Sequence, residues 1–239
     1  MSVHYDDLDI NRDIRFDIPL REGVGIVRTH DVTHHHPLVT LVSSPAWTIL
    51  DSNLGCLTLD GAADHLTSSG VDTALMDFTS ADYSIGGWYL NLTGDPSQEL
   101  INRYLLNNNG WELYHYSNGI MTLRHHHAAT LVGGNPRSAI YSTGWAYNTW
   151  YFMGITRSAG EDAIFYRGDA NGFGLIPTIS SAGGLHDAES CNQNLYIGCR
   201  GAASNWHTGM FWRYRAWARA LTQSDWQSIF ERELRWFLS

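Results

Sequence analysis

Hydrophobic residues recur at every second position in short stretches separated by Gly, Asn, Asp and Ser clusters. This is the pattern of half-buried strands joined by turns, not of strands alternating with helices. Ten stretches carry it: 14–18, 56–59, 83–90, 101–105, 110–114, 120–124, 150–156, 163–166, 194–198 and 209–215. Ten strands with no long helix between them predict two packed antiparallel sheets, an all-β sandwich. The period changes at the C-terminus, where Thr222, Gln223, Ser224 and Asp225 form a capping box with Asp in place of the usual Glu. Beyond it Trp226, Ile229, Phe230, Leu234 and Phe237 fall at three- and four-residue steps, while Gln227, Ser228, Glu231 and Arg232 take the other face. One helix over 223–237 is expected, packed on the sandwich; the alternative is that its stripe faces outward to a partner. Residues 1–13, rich in Asp, are expected to be an acidic arm ordered only on a neighbour, ahead of a single domain over 14–239.

Composition narrows the function. With 44% hydrophobic and 16% charged residues the chain buries a core, which excludes a disordered polymer and a coiled coil. Acidic residues outnumber basic ones 24 to 15, giving net charge −9, the wrong sign for a nucleic-acid backbone. All 15 basic residues are Arg, so Schiff-base chemistry on lysine is excluded. The Arg-only usage fits either planar, bidentate pairs at packed interfaces or a codon bias. Apolar runs are only a few residues long, so no membrane insertion is expected. The start, Met1-Ser2-Val3-His4-Tyr5-Asp6-Asp7, lacks the features of a secretory signal. Synthesis in the cytoplasm is expected, with the chain kept there or leaving as part of something assembled there. Cys56, Cys191 and Cys199 make neither a complete disulfide set nor a zinc motif.

Taken in order, the strands resemble the laminin-G-like domains of the concanavalin A-like lectin and glucanase superfamily. The resemblance begins at the acidic, Gly-containing turn over 20–25 and the Asp-led Asp31-Val32-Thr33. It continues through Trp47, the aliphatic strand over 57–64 with its Asp60-Gly61 turn, and the run from Phe78 through Tyr83-Ser84-Ile85 to Trp88. Trp150, Leu195-Tyr196-Ile197-Gly198, the strand over 209–215 and Arg219-Ala220-Leu221-Thr222 match the second half, so that it covers roughly 16–238. It implies that the two sheets form a jelly-roll sandwich with a closing helix, and core roles for Trp88, Trp150 and Trp212. One departure stands out: Arg167 occupies a turn position where the family often carries Asp.

Catalytic members of this fold place carboxylates at alternate positions of one strand so that both enter the same cleft. The Glu residues here (22, 99, 112, 161, 189, 231 and 233) show no such run, and no Gly-x-Ser-x-Gly elbow occurs. No catalytic residues are therefore expected. The triplets His34-His35-His36 and His125-His126-His127 each offer two imidazoles on one face of an extended chain, or else are solvated histidines of loops and strand edges. Calcium is implied by the resemblance only weakly, with Asp31, Asp60 and Asp64 as oxygen donors in turns. Trp145, Tyr147 and Asn148, and Trp206 and His207, lie in Gly-, Ser- and Asn-rich segments. Exposed aromatics there would stack on sugar rings, or would cover a sheet edge or subunit contact.

The expected function is a non-catalytic surface-display or structural module of a larger assembly, of the virion decoration or fibre-associated type, with a lectin-like fold and glycan affinity. Its partners would be subunits of that assembly or further copies of itself, and a cell-surface glycan. The alternatives are a free carbohydrate-binding lectin module and a divergent glycoside hydrolase.

Overall fold

The computed structural model describes residues 8–25, 27–93, 97–116, 119–128, 137–141, 145–180, 185–201 and 204–238, with 137–141 and 179–180 described through their backbone alone. Seventeen strands and one α-helix occur among them. The first sheet runs β14 (Gly172–Ile176), β13 (Ile164–Asp169), β12 (Trp150–Arg157), β7 (Tyr83–Asn91), β17 (Thr208–Trp217), β5 (Gly55–Asp60), β4 (Ala46–Ile49), with β1 (Ile14–Ile18) on β17 as the eighth strand. The second has nine: β15 (Thr178–Ser180), β11 (Arg137–Tyr141), β10 (Ile120–His125), β9 (Asn109–Tyr116), β8 (Ser97–Leu105), β16 (Leu195–Ile197), β6 (His65–Ser68), β3 (Leu38–Val42), β2 (Arg28–His30). Every pairing is antiparallel, which makes the molecule the two-sheet sandwich that the alternation predicts.

The inner faces meet in a core that includes Phe16, Leu57, Ile85, Trp111, Leu123 and Phe211. A second core lies on the outer face of the eight-stranded sheet. There α1 (Gln223–Leu234) lays Trp226, Ile229 and Phe230 on Trp88, Phe152, Tyr166 and Trp217. The helix begins at the expected box: Thr222 Oγ1 accepts the Asp225 N–H, and Asp225 Oδ2 accepts the Thr222 N–H. Its seat is made of glycine. A Cβ on Gly86 or Gly154 would stand 2.5 Å or 2.7 Å from the Trp226 ring, and one on Gly168 would stand 2.3 Å from Phe230. Three neighbouring strands thus omit a side chain where the helix inserts two. The apolar stripe faces the sandwich, and Trp236 and Phe237 continue beyond the helix in a turn. Trp88 and Trp212 are buried, and half-buried Trp150 packs on Phe237.

Residues 8–13 are tied to the sandwich. The Trp217 indole donates to the Ile10 carbonyl, and the Arg219 guanidinium to those of Asp9, Ile10 and Arg12. The rest of the expected arm, 1–7, lies outside the described residues. An ionic network clamps α1: Glu233 accepts from the Trp88 indole, Arg215 and Arg213, and Arg213 also forks onto Asp17. The three cysteines are buried and form no disulfide.

Candidate functional site

The site begins at a hairpin. Asn107 adopts φ +54°, and Gly110 sits at φ +85° where a Cβ would stand 2.1 Å from the Arg103 carbonyl oxygen. Only glycine fits there, so the turn fixes the register of β8 on β9. That register pairs Asn102 with Glu112 and, across an irregularity between Glu99 and Ile101, Glu99 with Tyr114. Ile101, Leu113 and Leu123 face the core, so Asn102, Glu112 and Arg124 share the outer face of the nine-stranded sheet. Arg200, just past β16, closes the site. The result is a pocket of about 300 Å³ lined by Ser97, Glu99, Glu112, Tyr114, Tyr116, Arg124, Arg200 and Asn205.

Its two carboxyls differ in chemistry. Glu112 is held 3.1 Å from Arg124 Nη1, 3.2 Å from Arg200 Nε and 3.1 Å from His126 Nε2. Burial works to raise its pKa, but the His126 contact and the two guanidinium charges win and hold it below the usual carboxylate range. The Asn107 N–H donates to His126 Nδ1, which leaves the ring proton on Nε2, turned toward Glu112. Arg124 also donates to the Tyr114 hydroxyl and Arg200 to that of Tyr104. Glu99 is fully buried, and among the described residues neither carboxyl oxygen has a well-formed hydrogen bond; the neighbouring Asn102 amide donates to the Cys199 carbonyl at 2.7 Å. Burial, and then the charge of Glu112, push Glu99 well above its ordinary pKa. The two carboxyls are thus pushed in opposite directions, Glu112 toward the carboxylate and Glu99 toward the neutral acid, beside two guanidinium groups.

Polar residues extend the pocket across the sheet. Successive pairings join Arg124 to Glu112, Asn102, Tyr196, Thr67, Thr40 and Arg28. These seven strands carry one polar row about 29 Å long, at about 4.8 Å per strand-to-strand step. Tyr116, 46% exposed, stands at the pocket end, its ring edge-on to Tyr114.

The residues expected to meet a sugar separate. Trp145 and His207 are corrected from exposed loop positions to the core: Trp145 is 3% exposed, packed on Tyr89 and Tyr151 beneath Arg167, and His207 is fully buried, stacked on Phe211. Tyr147 and Asn148 are exposed, with the Asn148 N–H donating to Asn91 at the end of β7. Trp206 is half-buried against His65 and follows Asn205, which lines the pocket. Reading carboxylates along one strand missed Glu99 and Glu112, which meet across two. The available signal was the Asn107-Asn108-Asn109-Gly110 run, a hairpin turn that fixes which residues pair.

Asp31, Asp60 and Asp64 do not gather. Asp60 Oδ1 accepts the N–H groups of Ala62, Ala63 and Asp64, and Asp31 accepts from Asp17 and Thr33. Among the described residues no group of three or more His, Cys, Asp or Glu is placed to hold a metal ion. The second His triplet is buried throughout, not solvated. His125 accepts from the Tyr83 hydroxyl and donates to the His186 carbonyl, while His126 stacks on Tyr104.

These histidines set the response to acid. Burial lowers His115 to about 4, and His125 and His207 to about 3. A depressed folded pKa means that the unfolded chain takes up the proton first. The stability these rings contribute is therefore intact above about pH 6.5 and lost as pH falls toward 4, at up to about 1.4 kcal/mol per ring per pH unit. Melting temperatures measured from pH 7.5 to 4 are expected to fall steeply below pH 6.5; a flat profile would contradict this burial.

No family model matches the chain, and no curated protein matches it. Solved structures do. The binding domain of botulinum neurotoxin serotype D/C aligns with TM-score 0.67 at 14% identity, over 94% of this chain and 53% of that one. The serotype G binding domain aligns with TM-score 0.65 at 17% identity, over 91% and 50%. A serotype DC binding domain in complex with SialylT aligns with TM-score 0.65 at 15% identity, over 94% and 52%. The chain spans about half the length of these binding domains, and at such identities the likeness is one of fold alone.

Proposed function

We propose that the chain is a non-catalytic carbohydrate-binding module whose glycan occupies the Glu99–Glu112 pocket and lies along the polar row toward Arg28. The observation that carries this reading is Glu99, a buried carboxyl that its surroundings favour as the neutral acid and that lines a pocket with neither oxygen hydrogen-bonded among the described residues. A neutral acid offers one donor and one acceptor, the pair that sugar hydroxyls complement, and a buried group without partners costs about 1–3 kcal/mol until something supplies them. Tyr116 gives a ring face for stacking. Two of the similar solved domains support a glycan ligand: one is a complex with SialylT, and another belongs to a toxin whose cell entry depends on two ganglioside molecules.

A glycan array tests this with the wild type beside Tyr116→Ala and Arg200→Ala. Saturable binding to one class of oligosaccharide is expected, weakened about tenfold by loss of the stacking ring. Binding unchanged in both variants would place the ligand elsewhere.

The opposed shifts of Glu99 and Glu112 are also those of an acid–base pair, which favours hydrolysis as a second reading. Against it, Arg124, Arg200 and His126 hold Glu112, which makes it a positioning group and a poor nucleophile. Release of reducing ends from the bound oligosaccharide, lost in Glu99→Gln, would replace the binding reading with that one.

Display on a larger particle, with further copies or other subunits as partners, is the setting we propose for the module. It is supported by Val24 and Val27, 76% and 58% exposed ahead of the edge strand β2, and by Ile49, 59% exposed at the end of the edge strand β4. Light scattering at micromolar concentration is expected to show an oligomer; a monodisperse monomer with no particle-bound form would contradict it.

A further inference from the structure

A second cavity, of about 330 Å³, lies beside α1 on the outer face of the eight-stranded sheet, away from the polar row. Five of the chain's 15 arginines line it: Arg21, Arg213, Arg215, Arg232 and Arg235. Among the described residues Glu233 is the single carboxylate in its lining, and it is committed to Arg213, Arg215 and the Trp88 indole, while Asp17 takes the fork of Arg213. Arg21, Arg232 and Arg235 have no carboxylate partner among the described residues, so the cavity keeps a surplus of about three positive charges in a chain of net charge −9. Arg232 and Arg235 also suit the negative end of the helix dipole, but that accounts neither for Arg21 nor for the cavity's inner wall.

That wall carries the second observation. The indole N–H of Trp212 and the Nε–H of Arg215, each on a side chain 4–5% exposed, find no acceptor among the described residues. Two buried donors without acceptors, in a cavity with surplus cationic charge, are complementary to an oxyanion. Asn11, Trp236, Ile229, Ile10 and Leu8 complete the lining, with Arg235 over the Trp236 ring at 5.0 Å. We infer that this cavity is a binding site for an oxyanion, a phosphate or sulfate monoester, carried on an aromatic or aliphatic body. The anion would meet Trp212, Arg215, Arg21 and Arg232, and the body would lie on Trp236. The inference is independent of the glycan reading, which uses the opposite sheet.

The test uses the full chain with phenyl phosphate as probe, following the indole N–H resonances by NMR. Arg21→Gln and Arg232→Gln are the variants, because both side chains are exposed and have no carboxylate partner among the described residues. Saturable binding that moves the Trp212 resonance is expected, weakened about tenfold by either variant, with inorganic phosphate weaker than phenyl phosphate. A second arm adds phosphatidylcholine vesicles with and without phosphatidic acid. Arginine-dependent sedimentation only with phosphatidic acid assigns the monoester to a lipid headgroup, and its absence alongside phenyl phosphate binding assigns it to a soluble ligand. No shift of Trp212 with phenyl phosphate and no phosphatidic-acid-dependent sedimentation would overturn the inference, as would binding that both variants leave unchanged.

Discussion

Trp226→Ala is expected to lower the unfolding free energy by about 3–5 kcal/mol, the range for removing a large, fully buried aromatic side chain. The ring lies between the two sheet glycines and Trp217, and its N–H donates to Thr156 Oγ1 at 2.8 Å. Gly154→Ala attacks the same contact from below. The three atoms that the new methyl would meet all belong to Trp226, at 2.7–3.0 Å, so overpacking of about 1–3 kcal/mol is expected. Combined with Trp226→Ala the methyl has room, and the double variant should be more stable than the sum of the single effects implies. Denaturant melts of the four proteins measure that coupling. Strict additivity would mean that the ring does not occupy the glycine seat.

This seat shows what was legible in the chain. Thr222 to Asp225 and the spacing of Trp226, Ile229 and Phe230 mark the helix start and its apolar face from sequence alone. Each of the ten alternating stretches falls on a strand. The seven strands not read, β2, β3, β4, β6, β11, β14 and β15, are three to five residues long. Windows such as His65-Leu66-Thr67-Ser68 are too short and polar for alternation to stand out; they are strands because longer neighbours offer them a ladder. The candidate site was less legible for a related reason. Glu99 and Glu112 are thirteen positions apart and meet only through the β8–β9 register. Conversely Trp145 and His207, in loop-like composition, are core residues, since Gly, Ser and Asn describe the neighbouring backbone and not where the ring between them points.

The second large effect is in the pocket. Glu112→Gln is expected to destabilise the fold by about 3 kcal/mol, the low end for breaking a buried ion pair. Arg124 and Arg200 lose their shared carboxylate, and at 26% and 24% side-chain exposure they recover only part of that in water. Glu99→Gln is expected to change stability by less than about 1 kcal/mol, because a neutral amide there keeps the uncharged state that burial and Glu112 favour. The signs with pH also differ. Glu99 has its folded pKa raised, so its contribution is present below the unfolded value of about 4.3 and is lost as pH rises through the folded pKa. Glu99→Gln should therefore flatten the melting profile on the alkaline side. In Glu112→Gln the neighbouring charge that helps to raise Glu99 is gone, so Glu99 ionises at lower pH and takes up the arginines. Equal destabilisation by the two variants would mean that both carboxyls are charged.

The most direct test of the glycan reading is a map of backbone amide shifts as the strongest array ligand is titrated in. Shifts running from Tyr116 and Arg124 through Asn102 and Tyr196 toward Thr40 and Arg28 are the expected result. Shifts confined to Tyr147, Asn148 and the turns around them, with the outer face of the nine-stranded sheet silent, would contradict it.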